Sequence, residues 1–179
     1  MKTSTLKSWW DFSRPHTIIG STFSITGLYI VCCAEAAFTT ETDTWTLVDD
    51  YSHIYFITLI SALACNLFIV GLNQWQDIAV DRINKPWLPL AAGTITLQQG
   101  KTVVFTSLLL SLLSAALLGK AFFLLILLIN AIGAAYSLPP LKLKRHHLPA
   151  AIAIVTVRGL LVNLGMAGHF THFITDSWN

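Results

Sequence analysis

The sequence predicts an all-α protein, a polytopic bundle of about five transmembrane helices. Three observations carry this reading. Hydrophobic residues make up 54% of the 179 positions and charged residues only 11%, against roughly 25% charged in ordinary soluble domains. Five long stretches carry one charge between them. The basic residues fall in alternate connections between those stretches. A soluble domain of this size has too much surface to cover with so few charges. A disordered chain, a nucleic-acid-binding module and most soluble enzymes are thereby excluded.

Crossing a bilayer takes about 20 apolar residues, and helices satisfy their own backbone groups in lipid. The runs 15–34, 51–76, 102–119 and 121–141 carry no charge, and 148–173 carries only Arg158. Helices are therefore expected near 16–37, 53–73 with a continuation toward 84, 102–119, 121–138 and 148–171. Trp9 and Trp10, just ahead of the first span, read as an interface anchor. Lys2, Lys7 and the later Ala34-Glu35-Ala36 give the first span some features of a cleaved leader. Arg14-Pro15 interrupts that layout and four further spans follow, so a retained span is expected. Gly119 and Lys120 form a tight hairpin between the third and fourth spans. Cys32, Cys33 and Cys65 lie in apolar runs without CxxC spacing, and read as small buried hydrophobes rather than disulfide or zinc partners.

Orientation follows from the cations. Lys2, Lys7, Arg14, Arg82, Lys85, Lys101, Lys142, Lys144 and Arg145 would lie on one side, and only Lys120 on the other. The positive-inside rule places the amino terminus and both basic loops in the cytoplasm or its equivalent.

The first basic loop carries the most chemistry. Asn73, Asp77 and Asp81 recur at intervals of four and share one helix face. Two carboxylates and an amide oxygen form a hard-oxygen surface of the kind Mg²⁺ takes up together with substrate phosphates. Pro86 disfavours helix at Lys85, so the helix is expected to end just before it. There the helix dipole favours a cation and repels a bare phosphate. A metal between carboxylates and phosphate resolves that conflict, with Arg82 and Lys85 on the outer phosphate oxygens. Two solvated aspartates at a helix end are the plainer alternative.

In the second basic loop, Lys142 and Arg145 are candidate clamps for a diphosphate, although membrane topology alone would also place cations there. Arg158 lies about ten residues into the last span, where a charge is costly and faces a cavity or bundle interior. Arg14 stands at the entrance of the first span. Either arginine could hold an anionic substrate group, and Asn163 is a further polar residue of the last span. His146 and His147 read as interfacial.

Asn73-x-x-x-Asp77-x-x-x-Asp81, followed by Arg82 and Asn84-Lys85-Pro86, resembles the first Asp-rich motif of the intramembrane, UbiA-type prenyltransferases. Phe12-Ser13-Arg14-Pro15-His16-Thr17, Tyr136-Ser137-x-Pro139-Pro140 and Val157-Arg158-Gly159-x-x-Val162-Asn163-Leu164-Gly165 resemble the homogentisate branch, notably the phytyltransferases of tocopherol synthesis. The resemblance implies a bundle of nine helices around a lipid-open cavity. It implies Mg²⁺-dependent transfer of an isoprenoid from its diphosphate to an aromatic acid, here homogentisate, with loss of pyrophosphate and CO₂. A second Asp-rich motif would share the metal. After Asp81 the only acid here is Asp176. A single domain over 1–179, shortened at its carboxyl end to about half of such a bundle, is therefore expected.

On this reading Asp77, Asp81 and Arg158 carry catalysis, and Asn73, Asp77 and Asp81 bind Mg²⁺. Arg14, Asn73, Arg82, Lys85, Tyr136, Lys142, Arg145 and Asn163 bind the prenyl diphosphate and the aromatic acid. The partners are these two substrates and the lipid bilayer, with no nucleic acid. A bacterial inner membrane or a thylakoid membrane is the expected location. Transfer to 4-hydroxybenzoate or chlorophyllide, and an inactive truncated membrane protein, are the alternatives. A transporter or channel would need more polar residues along the third and fourth spans than the sequence has.

Overall fold

The computed structural model describes residues 5–175, so Lys2 and Asp176 lie outside the described residues. The elements are α1 (Thr5–Phe12), α2 (Pro15–Thr40), α3 (Thr44–Asp50), α4 (Ser52–Gln76), α5 (Ile78–Asn84), α6 (Pro89–Ala92), α7 (Leu97–Leu117) and α8 (Lys120–Ser137). A 3₁₀ turn (Leu143–Arg145) then leads into α9 (His147–Ile154), a π-helical stretch (Val155–Leu161) and α10 (Val162–Thr175). No strand occurs among the described residues. Five helical stretches are long and apolar enough to cross a membrane: α2, α4, α7, α8 and the continuous run His147–Thr175.

The most buried of the five is α4. It packs against α2, α7, α8 and α10. In lipid, helices associate through close approach of small residues and through hydrogen bonds between helices. Ser61 of α4 donates to the Ser111 carbonyl of α7 at 2.8 Å, and Asn130 of α8 donates to the Ser111 hydroxyl at 3.0 Å. Three helices are thus joined around one buried serine. One turn earlier on α4, Thr58 pairs with His169 of α10 at 2.9 Å, and that ring stacks on Phe122 of α8 at 4.0 Å. Gly133 lets α8 approach Ile69 of α4 closely; a β-carbon there would lie 2.5 Å from Ile69 Cγ1.

Helix ends differ from expectation for local reasons. Helix α7 begins at Leu97, several residues earlier than the apolar run, because Thr96 and Gln99 form a reciprocal capping box. The connection after α2 contains the short helix α3, capped by Asp43, whose carboxylate accepts from the Trp45 and Thr46 amides at 2.9 and 3.1 Å. Gly119, at φ 96°, makes the α7–α8 turn. Trp9 packs inward. It meets Phe12 edge-on at 5.9 Å within a small core that includes Leu90 and Ile95, while Trp10 is exposed. Phe12 is itself buried, and its carbonyl accepts from the buried Gln74 amide at 2.7 Å. This ties α1 to the end of α4, where the acidic residues begin.

Candidate active site

The expected single helix over 53–84 is broken. Asp77, at φ −110° and ψ 13°, closes α4 and opens α5. The Asp77 amide still donates to the Asn73 carbonyl at 3.1 Å, and the Asp81 amide to the Asp77 carbonyl at 2.7 Å. The one-turn spacing of the three residues therefore survives the joint. As expected, α5 ends at Asn84, with Lys85 as its cap.

The second basic loop folds back onto this stripe. Lys144 Nζ lies 2.5 Å from Asp77 Oδ2 and 2.8 Å from Asn73 Oδ1. Lys142 Nζ stands 3.9 Å from the other Asp77 oxygen. The Ser137 hydroxyl, 3.4 Å from Asn73 Oδ1, fixes the amide from the α8 side. Lys142 holds φ 35°, in the left-handed region that non-glycine residues seldom adopt. That turn, followed by the 3₁₀ turn, brings residue 144 rather than 145 onto the carboxylate.

Asp81 is buried. Burial raises its carboxyl pKa above the usual range and Asp77 adds to the rise, while Lys85, Arg14 and Lys144 oppose it. Burial lowers the Lys144 ammonium, against the pull of Asp77.

Beside the stripe opens a cavity of about 630 Å³ that runs between α2, α4, α8 and the last span. Asn73 belongs to both the stripe and the cavity lining. Around it the wall carries Arg14 and Tyr136, and farther along it becomes apolar, with Ile25, Ile69, Ile126 and Ile129. Arg14 holds φ 51° at the start of α2, directly before Pro15, where that conformation is disfavoured twice over. Strained backbone of this kind concentrates at binding sites.

Arg158 also lines the cavity. It sits in the π-helical stretch, whose i→i+5 register is uncommon and recurs at functional sites. Asn163 lines the cavity too, and its amide donates to the Arg158 and Gly159 carbonyls at 3.0 and 3.1 Å. Those donors secure the widened turn that carries Arg158.

Of the sequence candidates, Asn73, Asp77, Asp81 and Lys142 are brought together, and Arg14, Asn73, Tyr136, Arg158 and Asn163 share the cavity. Lys85 acts on Asp81 through its charge. Arg82 and Arg145 are exposed and form no ion pair with the stripe among the described residues. Sequence reasoning passed over Lys144, and also a polar row on α2. Thr17, Ser21 and Ser24 line the cavity beside Asn66 of α4, whose amide donates to the Thr17 hydroxyl at 3.2 Å. Their helical spacing, continuous with Arg14, was a usable signal.

The donor set fits a hard divalent cation. Among the described residues no group of three His, Cys, Asp or Glu could hold a metal by itself. Two carboxylates and an amide oxygen would bind Mg²⁺ only in partnership with phosphate oxygens, as that ion commonly does. The Lys144 ammonium, seated on two of these oxygens, marks the place as one that takes a cation.

Residues 20–178 match the model of the UbiA prenyltransferase family. The chain belongs to that family. It is similar to a homogentisate phytyltransferase of Synechocystis, 40% identical over 91% of this chain and 51% of the relative. It is also similar to a homogentisate geranylgeranyltransferase of Hordeum vulgare, 35% identical over 94% of this chain and 40% of the relative. The chain thus spans about half the length of these curated relatives. Among solved structures, a digeranylgeranylglyceryl phosphate synthase aligns with TM-score 0.73 over 97% of this chain and 57% of its own, at 19% identity. A UbiA homolog from Archaeoglobus fulgidus, bound to DMAPP and Mg²⁺, aligns with TM-score 0.64 over 95% of this chain and 55% of its own, at 23% identity. At these identities the likeness establishes the UbiA fold, and the five spans of this family member are those of a multi-pass membrane protein.

Proposed function

We propose that this UbiA-family chain takes part in Mg²⁺-dependent transfer of a phytyl or other prenyl group from its diphosphate to homogentisate, with release of pyrophosphate and CO₂. The observation that carries the reading is that Asn73, the first residue of the Asn73–Asp77–Asp81 stripe, also lines a cavity with Arg14 at its mouth and an isoleucine wall beyond. A prenyl diphosphate has that same polarity. The homogentisate transferases among its relatives favour homogentisate as the acceptor.

Asn73, Asp77 and Asp81 would hold the magnesium. When bound there it supplies a concentrated positive charge for the departing pyrophosphate. Lys142, Lys85 and Arg14, arranged around the stripe, add fixed positive charge where that anion develops. The allylic C–O bond breaks, and its electron pair leaves with the pyrophosphate. The apolar wall of Ile25, Ile69, Ile126 and Ile129 keeps water from the allylic cation. Arg158, farther along the same cavity, pairs with the acceptor carboxylate and so presents the ring carbon that forms the new C–C bond. That carbon gives up its proton, and the side-chain methylene takes one up as its bond to the carboxylate breaks and CO₂ leaves. Asn163 holds Arg158 in place. The basic loops, and with them the mouth of the site, face the cytoplasm or its equivalent.

The test is an assay of membranes carrying the complete natural protein with homogentisate, 4-hydroxybenzoate and chlorophyllide, each against a panel of prenyl diphosphates. Prenylated, decarboxylated homogentisate, identified by mass, is the expected product. Turnover restricted to another acceptor would overturn the choice of homogentisate. No product with any pair would overturn the enzymatic reading.

A further inference from the structure

Lys144 occupies the position on Asn73 and Asp77 that the proposed function gives to a metal. Its ammonium contacts Asn73 Oδ1 at 2.8 Å and Asp77 Oδ2 at 2.5 Å, and Lys142 approaches Asp77 Oδ1 at 3.9 Å. Both Asp77 oxygens thus face a cation. The two lysines carry as much positive charge as Asp77 and Asp81 carry negative. A divalent cation arriving alone meets two ammonium groups and a neutralised stripe. A diphosphate arriving at the same mouth meets Arg14, Lys85, Lys142 and Lys144, which all act on this stripe. A lysine ammonium is a point charge with three donors on a flexible four-carbon stem. It can leave a carboxylate for a phosphate oxygen without any rearrangement of the helices.

We propose that Lys144 is a positioning residue, an internal counter-cation that keeps Asn73 and Asp77 closed to metal until a diphosphate draws the ammonium away. Metal and diphosphate are then taken up together, and the metal does not bind first. The inference rests on the metal reading of the stripe and adds to it an order of binding and the residue that enforces it.

Equilibrium dialysis tests this on the 179-residue chain in detergent micelles, with Mn²⁺ as the probe and inorganic pyrophosphate present or absent. Protein-free chambers correct for Mn²⁺–pyrophosphate complexes in solution, and circular dichroism checks that each variant keeps its helix content. In the unsubstituted chain, pyrophosphate should tighten Mn²⁺ retention by about tenfold or more, a coupling of about 1.4 kcal/mol. In Lys144→Met, Mn²⁺ alone should bind about tenfold more tightly than in the unsubstituted chain, and pyrophosphate should add less. Lys144→Gln, which keeps a donor but no charge, should behave as Lys144→Met does. Equal or weaker binding of Mn²⁺ alone in both variants would overturn the inference. So would retention by the unsubstituted chain that is indifferent to pyrophosphate, an arm that needs no variant. Asp77→Asn separates the two levels. If that chain retains Mn²⁺ and pyrophosphate as well as the unsubstituted one, the metal reading itself fails.

Discussion

Two chemically identical substitutions in two helices should have opposite effects. Gly133 of α8 and Gly27 of α2 both lie within transmembrane helices, where replacing glycine by alanine gains about 1 kcal/mol of helix propensity. At Gly27 a new β-carbon meets nothing within 4 Å, so that gain stands alone. At Gly133 it would lie 2.5 Å from Ile69 Cγ1 and 2.8 Å from Cδ1. Carbon atoms in comfortable contact sit about 3.5–4.0 Å apart, so the approach is short by roughly 1 Å. Ile69 is β-branched and has essentially one helical rotamer, so it yields poorly. Overpacking of this kind costs about 1–3 kcal/mol. Gly133→Ala should therefore be less stable than Gly27→Ala by about 1–3 kcal/mol, read as the shift in SDS-induced unfolding of the two variants in mixed micelles. Gly133 and Ile69 both line the cavity, so relief of the clash reshapes its wall. Gly133→Ala should accordingly weaken binding of a prenyl thiodiphosphate, and Gly27→Ala should not. Equal stabilities, within about 0.5 kcal/mol, would refute the close α4–α8 approach on which the cavity shape depends.

Asn163→Ala removes two hydrogen bonds from the π-helical turn, a loss of about 1–3 kcal/mol. Because it acts through Arg158, it should raise the KM for homogentisate more than it lowers kcat; a pure kcat loss would contradict that role. Asp81→Asn should make stability less dependent on pH. Burial raises the Asp81 carboxyl, so its contribution is full below the ordinary value of 3.8 and is lost as pH rises through the raised one. The variant should equal the unsubstituted chain below pH 3.8 and exceed it once pH has risen through the raised value, followed by the unfolding midpoint. A constant difference across that range would contradict the burial of Asp81.

The spans could be located from the sequence because lipid imposes a length and a polarity on each helix. All five observed spans overlap their expected positions. Their ends depend on short-range chemistry, and some of that was also present. Thr96 and Gln99 spell a capping box, yet the polar Gln98, Gln99 and Lys101 hid the first turn of α7 from an apolar criterion. Asn73, Asp77 and Asp81 declared themselves by spacing. Which cation meets them did not. Lys142, Lys144 and Arg145 are equivalent until the left-handed turn at Lys142 and the 3₁₀ turn after it choose Lys144. The π-helical register at Arg158 was equally hidden, since it depends on where Asn163 places its amide. Asn163 consequently serves its own helix as well as the cavity.

Binding of a non-hydrolysable prenyl thiodiphosphate to the chain in lipid nanodiscs, with Mg²⁺ and then with EDTA, addresses the central claim directly. The account predicts tight binding that EDTA abolishes and that Asp77→Asn abolishes equally, with helix content unchanged. Undiminished binding in EDTA, or in Asp77→Asn with Mg²⁺ present, would contradict it.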